Sequence, residues 1–156
     1  MADLITKNGH PMSPGTFIAL VKSTLTDGVL NGCGIAASGA NITVAAGRIV
    51  AGGALVALES TTVTASTAGE LVLRIDTSGE GSATVLARTT ATLTKQDITI
   101  TGNIYEIQLA TFGFTSGAVS GLSKKVGAAK PKTTASGVYV QQAQPSSPST
   151  GDLWFW

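Results

Sequence analysis

The feature that most constrains how this chain can fold is a series of short runs rich in Val, Ile, Leu and Thr, separated by Gly, Asp and Ser. Runs of this kind between turn residues are typical of β-strands. We predict strands at residues 29–36, 41–44, 48–50, 54–58, 61–65, 70–76, 83–91, 97–101 and 103–111. So many short strands without a long amphipathic helix indicate an all-β fold, and we expect an antiparallel β-sandwich over residues 29–122.

Two of these runs also predict which residues form the core. In residues 70–76, apolar and polar side chains alternate, which places Glu70 and Asp76 on the face opposite the apolar residues. Val72 breaks the alternation, as expected if that second face is partly covered. We expect Glu70 and Asp76 to be surface residues that aid solubility. The predicted core residues are Leu71, Leu73, Ile75, Ile107 and Leu109, with Tyr105 also facing inward.

The two ends of the chain differ from this strand-rich middle. Residues 1–16 contain several Gly and Pro and predict an extended N-terminal arm. Residues 17–25 fit either a short helix or a strand; we favour a strand and include it in a sandwich domain at residues 17–122. Residues 123–156 predict a linker and a C-terminal aromatic tail, with one isolated strand at residues 137–142.

The low charge of the chain indicates how its surface is used. Charged residues make up only 12%, roughly half the usual share, and the formal net charge is +1. Such a surface favours burial in an assembly, and we expect a homo-oligomer, with a trimer as the first choice. The net charge gives no reason to expect a nucleic-acid partner. The one basic cluster lies in linker-like sequence and predicts a solvated tether rather than a phosphate-binding patch: Lys124, Lys125, Lys130 and Lys132.

Neither a membrane nor an export signal is indicated. No stretch reaches the roughly 18 apolar residues that a membrane span needs, so we expect no membrane partner. The first residues lack the basic and apolar regions of a signal peptide. We therefore expect synthesis in the cytoplasm.

The residue types that carry catalysis are scarce. His10 is the only histidine, and it lies among Gly and Pro, where an exposed position is expected. Cys33 is the only cysteine, and its strand-like context predicts a small buried residue. The Gly32-Cys33-Gly34 turn lacks the third glycine and the helix of a nucleotide-binding loop. No pair of acids is marked out for acid/base chemistry, so we expect no catalytic residue, no cofactor, no metal site and no enzyme activity.

One long stretch resembles a pattern in phage tail proteins. Residues 42–53 read ITVAAGRIVAGG, in which a glycine precedes a Gly-Gly pair by several residues, and residues 71–76 end a later strand with Arg-Ile-Asp. This arrangement is similar to the N-terminal shoulder domain of receptor-binding proteins from siphophage baseplates, over residues 29–122. The segment at residues 148–154, PSTGDLW, resembles a segment frequent near modular junctions of phage tail proteins.

The resemblance implies a specific role and location. The shoulder in that family is a β-sandwich that forms trimers and attaches the protein to the baseplate, while a separate head binds host saccharide. We therefore expect a structural component of a tailed-bacteriophage tail tip or baseplate, located in the virion and in contact with other tail proteins. Saccharide binding by this chain is not supported, because the sequence ends where the neck and head would begin.

The aromatic tail is the predicted contact site. Large aromatic rings at a chain end favour burial, because each removes about 150 to 250 Å² from water. We expect the tail to contact another copy or a baseplate protein, although folding back onto its own sandwich is the competing interpretation. The predicted contact residues are Leu153, Trp154, Phe155 and Trp156. Alternative functions are a carbohydrate-binding module, which would need an aromatic platform, and a capsid decoration protein.

Overall fold

The computed structural model describes residues 14–99, 101–132, 138–140 and 153–155. The elements are α1 (Pro14–Thr24), β1 (Gly28–Gly32), β2 (Ile35–Ser38), β3 (Asn41–Val44), β4 (Gly47–Ala51), β5 (Ala54–Leu58), β6 (Thr61–Thr64), β7 (Gly69–Asp76), β8 (Ser82–Arg88), β9 (Ile104–Thr115), β10 (Ala118–Lys124), β11 (Val138–Val140) and β12 (Leu153–Phe155). All sheets are antiparallel except the pair β11–β12.

The first six strands form two three-stranded sheets that are two halves of one bent layer. One half has the order β1-β4-β5 and the other has the order β2-β3-β6. The chain passes from one half to the other at a corner between β1 and β2, where Gly32 and Cys33 both have positive φ. Backbone bonds continue across this corner, from Cys33 N to Ala46 O and from Ala45 N to Gly34 O. Strands that change sheets at such a bend are typical of sandwiches with crossed layers.

The second layer is a four-stranded sheet with the order β10-β9-β7-β8. The strands predicted at residues 70–76 and 83–91 are present as β7 and β8, which pair as a hairpin with Glu70 opposite Arg88. The all-β sandwich predicted from the sequence is confirmed. So is the predicted core: Leu71, Leu73, Ile75, Ile107 and Leu109 are all buried.

The N-terminal element is a helix, so the strand favoured at residues 17–25 is wrong. Helix α1 begins at Pro14, a residue suited to the first helical position because it has no amide hydrogen to satisfy. Near its end the Ser23 and Thr24 hydroxyls donate to Leu20 O at 2.7 and 3.0 Å. The helix approaches the adjacent β4–β5 turn closely, which requires a glycine at position 53, because a Cβ there would lie 2.4 Å from Ile18 O. The alternation typical of a strand is absent here, since apolar residues fill the consecutive positions 17–21.

Two other predictions differ from the structure, and one strand was not predicted. The run at residues 29–36 is divided between β1 and β2 by the corner, and β10 was not predicted. The described part of the strand expected at residues 97–101, namely residues 97–99 and 101, forms a turn, in which Asp97 Oδ1 accepts bonds from the amide and hydroxyl of Thr99 at 3.1 and 2.5 Å. Of the isolated strand expected at residues 137–142, the structure describes β11 at Val138–Val140, and this strand pairs with β12 rather than being isolated. The predicted N-terminal arm lies outside the described residues, except for the start of α1.

The basic segment after β10 is attached to the sandwich. Thr26 N donates to Lys130 O and Lys132 N donates to Thr24 O, both at 2.8 Å. Val126 packs against the core. The lysine side chains are exposed, as expected, but the predicted tether is wrong through residue 132 because the backbone is hydrogen-bonded to the N-terminal part of the chain.

Candidate functional site

The outer face of the four-stranded sheet carries a group of ionised side chains. Strand β7 contributes Glu70 and Arg74, β8 contributes Arg88, and β9 contributes Glu106. We call these four residues the charge cluster. They lie opposite the aliphatic face because side chains alternate along a strand, and the registers pair Glu70 with Arg88 and Arg74 with Glu106.

Arg88 joins the two carboxylates of the cluster. Its Nε donates to Glu70 Oε1 at 3.0 Å, while Nη1 and Nη2 donate to Glu106 Oε1 and Oε2 at 3.1 and 3.2 Å. Arg74 Nη1 adds a bond to Glu106 Oε1 at 3.2 Å. Glu70 and Glu106 are 1% and 0% exposed. The bidentate contact of Arg88 with Glu106 is therefore an ion pair with a buried carboxylate.

A crossing loop, residues 89–97, covers the cluster. It leaves β8 and passes over the sheet to the far side of β9, where Glu106 N donates to Thr94 O at 2.7 Å. The amides of Ala91 and Thr94 donate to Glu70 Oε1 and Glu106 Oε2 at 3.2 and 2.9 Å. The buried carboxylates therefore accept hydrogen bonds from the backbone of the crossing loop as well as from the arginine side chains.

The pKa values of both carboxyl groups lie below the ordinary value. Burial by itself raises the pKa of Glu70, but hydrogen bonds from Gln108, from the Ala91 amide and from Arg88 lower it by more. Burial opposes ionisation of Glu106 in the same way and is outweighed by the Thr94 amide and the two arginines, so its pKa is also lowered. Both groups are held as carboxylates by several donors each.

The expectation that Glu70 is a surface residue is therefore wrong. The alternation placed it on the correct face, but the crossing loop buries that face. Asp76, at the end of the same strand, is half-buried, and its Oδ1 accepts bonds from the amide and hydroxyl of Ser78 at 2.9 and 2.5 Å. A sequence signal for the cluster existed, because a hairpin centred on Gly79 places Arg88 opposite Glu70.

Beside the charge cluster lies an open cleft of about 280 Å³. Its walls come from the turn before β1, the crossing loop, β9 and the segment after β10. The lining residues are Asp27, Leu93, Lys95, Ile107, Gln108, Lys125, Val126 and Gly127. Gln108 connects the cleft to the charge cluster, because its Nε2 donates to Glu70 Oε2 at 2.6 Å.

Asp27 is fixed at the cleft by two donors. Its Oδ1 accepts from Gly52 N at 2.8 Å, and its Oδ2 accepts from the Tyr105 hydroxyl at 2.7 Å. Burial and the neighbouring Asp27 raise the pKa of Tyr105 well above its usual range. The Nζ of Lys95 lies 5.9 Å from the centre of the Tyr105 ring, a cation–π distance. The predicted inward position of Tyr105 is thus met in part, since its ring is half-buried and its hydroxyl is engaged.

The contact residues predicted from the sequence lie near the chain end. Strand β12 contains Leu153, Trp154 and Phe155, and Trp156 lies outside the described residues. The strand pairs in parallel with β11, in the register Val138↔Leu153, Tyr139↔Trp154 and Val140↔Phe155.

Cys33 and His10 were the other residues considered from the sequence. Cys33 is confirmed as a buried residue, and burial raises the pKa of its thiol. His10 lies outside the described residues. Within the described ranges, no three His, Cys, Asp or Glu side chains are grouped closely enough to hold a metal ion. Over the same ranges, no helix is long and apolar enough to cross a membrane.

Comparison with known proteins adds no relative. Neither protein-family models nor curated proteins give a match to this chain.

Proposed function

We propose that the protein is a structural, non-catalytic component of a bacteriophage tail tip or baseplate, which forms homo-oligomers and attaches tail or receptor-binding parts. The proposal rests on the resemblance of residues 29–122 to shoulder domains and on the strand pair formed by the chain end. In this proposal the protein functions in the virion, and its partners are other copies of itself and other tail proteins.

The parallel pair β11–β12 is the observation that carries the proposal. A two-stranded sheet alone is marginally stable in water, and parallel sheets are normally covered on both faces. Among the described residues, no third strand joins this pair. The two strands read Val-Tyr-Val and Leu-Trp-Phe, so covering them would bury much apolar area. In this proposal, a second polypeptide packs over the two strands.

The proposed oligomeric state follows from the need for an assembly that is closed by rotational symmetry. Copies that cover one another's β11–β12 pairs around a rotation axis form a finite assembly, whereas an open arrangement would polymerise. A trimer is the proposed state. The low charge of the chain agrees with this arrangement, because subunit contacts replace the charged surface that a soluble monomer would need.

Removing the tail tests the proposal directly. We expect the full chain to have the mass of a trimer by light scattering, and a chain ending at residue 150 to have that of a monomer. The truncated chain should keep its far-ultraviolet dichroism spectrum and melt within about 2 °C of the parent, because the core strands lie upstream.

A matched control separates the tail from other exposed apolar residues. Phe17 is 44% exposed on α1, and Phe17→Ala should leave the trimer intact. If the truncated chain remains trimeric but its melting temperature falls by several degrees, the tail packs against and stabilises its own sandwich instead. The gene neighbourhood tests the phage assignment separately: tail genes should flank this one, and a metabolic operon there would refute it.

The carbohydrate-binding alternative has less support from the aromatic residues. Such a module would present rings on its surface, whereas Phe112 is buried, and Tyr105 and Phe114 are only partly accessible. Phe17 is the exposed ring of this set, and it lies on the helix rather than on a sheet.

A further inference from the structure

We propose that the cleft beside the charge cluster binds a small organic anion. The carboxylate or phosphate group of this ligand would interact with Lys95 and Lys125, and its carbon body would pack against the aliphatic wall. This binding is separate from the proposed assembly role, because none of the residues that line the cleft belongs to β11 or β12.

The chemistry of the lining supports an anion. Lys95 and Lys125 reach the cleft from two different segments, and neither forms a salt bridge within the described residues. Asp27 is the one acid in the lining, so the cleft has one positive charge in excess. Both oxygens of Asp27 already accept bonds from Gly52 N and the Tyr105 hydroxyl, which hold the carboxylate in place within the fold.

The remaining wall favours an organic ligand over an inorganic ion. Leu93, Ile107 and Val126 supply an aliphatic surface between the polar groups. A volume of about 280 Å³ is near the lower limit of small-molecule sites, which start at about 300 Å³. A single ring with one anionic substituent fits this combination of size, apolar wall and two ammonium groups.

The framework of the cleft is preformed. Lys125 N and Val126 N both donate to Leu109 O, at 2.8 and 3.2 Å, which fixes that segment against β9. On the opposite side, the crossing loop is held by the buried carboxylates, as through the bond from Thr94 N to Glu106 Oε2. Two lysines carried by fixed segments lose less freedom on binding than lysines on a mobile chain.

Two anionic probes and two controls test the proposal with the full-length protein. Benzoate and phenyl phosphate distinguish a carboxylate from a phosphate, benzyl alcohol lacks the charge, and inorganic phosphate lacks the ring. We expect at least one of the two anions to shift the amide resonances of Leu93, Ile107 and Val126 saturably. Benzyl alcohol and inorganic phosphate should bind about fivefold more weakly or not at all.

Variants identify the lysines involved. Lys95→Ala and Lys125→Ala should each weaken binding about fivefold, and Lys125→Glu should abolish it. Lys130→Ala is the matched control, because Lys130 is exposed in the same segment but does not line the cleft. Equal weakening by Lys130→Ala, equal binding of inorganic phosphate, or no saturable shift up to about 10 mM of either probe would each overturn the proposal. Melting curves should show that all the variants remain folded.

Discussion

Strand β7 of the four-stranded sheet is largely buried on both faces, but the two faces are stabilised by different means. The inner face is aliphatic, with Leu71, Leu73 and Ile75 of β7 packed against the bent layer. The outer face carries the charge cluster beneath the crossing loop. Packing tolerates small changes of shape, whereas a buried charge requires each of its partners. We therefore expect the loss of one residue to lower the free energy of unfolding more on the outer face than on the inner face.

The largest expected effect is the loss of Arg88. Arg88→Met removes the guanidinium that contacts both Glu70 and Glu106, which leaves buried carboxylates with fewer partners. We expect the free energy of unfolding to fall by about 3 to 5 kcal/mol in urea denaturation.

A combined variant sharpens this prediction. Arg88→Met together with Glu70→Gln and Glu106→Gln should be more stable than Arg88→Met alone, because no unpaired charge remains buried. Arg48→Ala, at the exposed position of β4, is the control and should change stability by about 0.5 kcal/mol or less. If Arg88→Met behaves like this control, the cluster does not stabilise the outer face.

The second effect concerns the inner face. Leu73→Ala should lower the free energy of unfolding by about 2 to 5 kcal/mol, since Leu73 is fully buried and its removal leaves a cavity. Leu55→Ala provides the matched control, because Leu55 is 47% exposed and its loss should cost much less. Equal losses for the two leucines would contradict the assignment of the core.

The smallest and most gradual effect is the response to acid. Because the folded pKa values of Glu70 and Glu106 lie below their unfolded values, their contribution is complete above the unfolded carboxyl pKa of about 4.3. It is lost as pH falls through the folded pKa values. Melting temperature should therefore decline below about pH 4.3, and less steeply in Glu70→Gln with Glu106→Gln. An equally steep decline in that double variant would assign the acid sensitivity to other groups.

Much of the inner face was predictable from the sequence, and much of the outer face was not. Turn residues such as Gly52-Gly53 bounded the strands correctly, and alternation identified Leu71 and Leu73 as core. Val72 gave the one sign that the other face is covered, and it is indeed fully buried. Alternation assigns a residue to a face, but it does not indicate what covers that face.

The features that were not predicted depend on contacts between residues distant in the sequence, or on a local pattern that fits both a helix and a strand. The crossing loop covers Glu70 only because it passes over two strands, and the cleft combines Asp27 with Lys125 from opposite parts of the chain. Helix α1 was missed because five consecutive apolar residues, 17–21, fit both a helical and an extended period. The β11–β12 pairing joins segments whose separation gave no sequence signal for a register.

The bonds between residues 24–29 and 127–132 have a consequence for biosynthesis. Thr26 Oγ1 accepts a bond from Lys130 N across 104 positions of sequence, next to the backbone bond from Thr26 N to Lys130 O. A ribosome adds about 5 to 20 residues per second, so the segment before β1 waits several seconds for its partner to be made. During translation the edge of β1 is therefore unpaired along this segment, and the nascent chain is exposed there to other strands until synthesis passes residue 132.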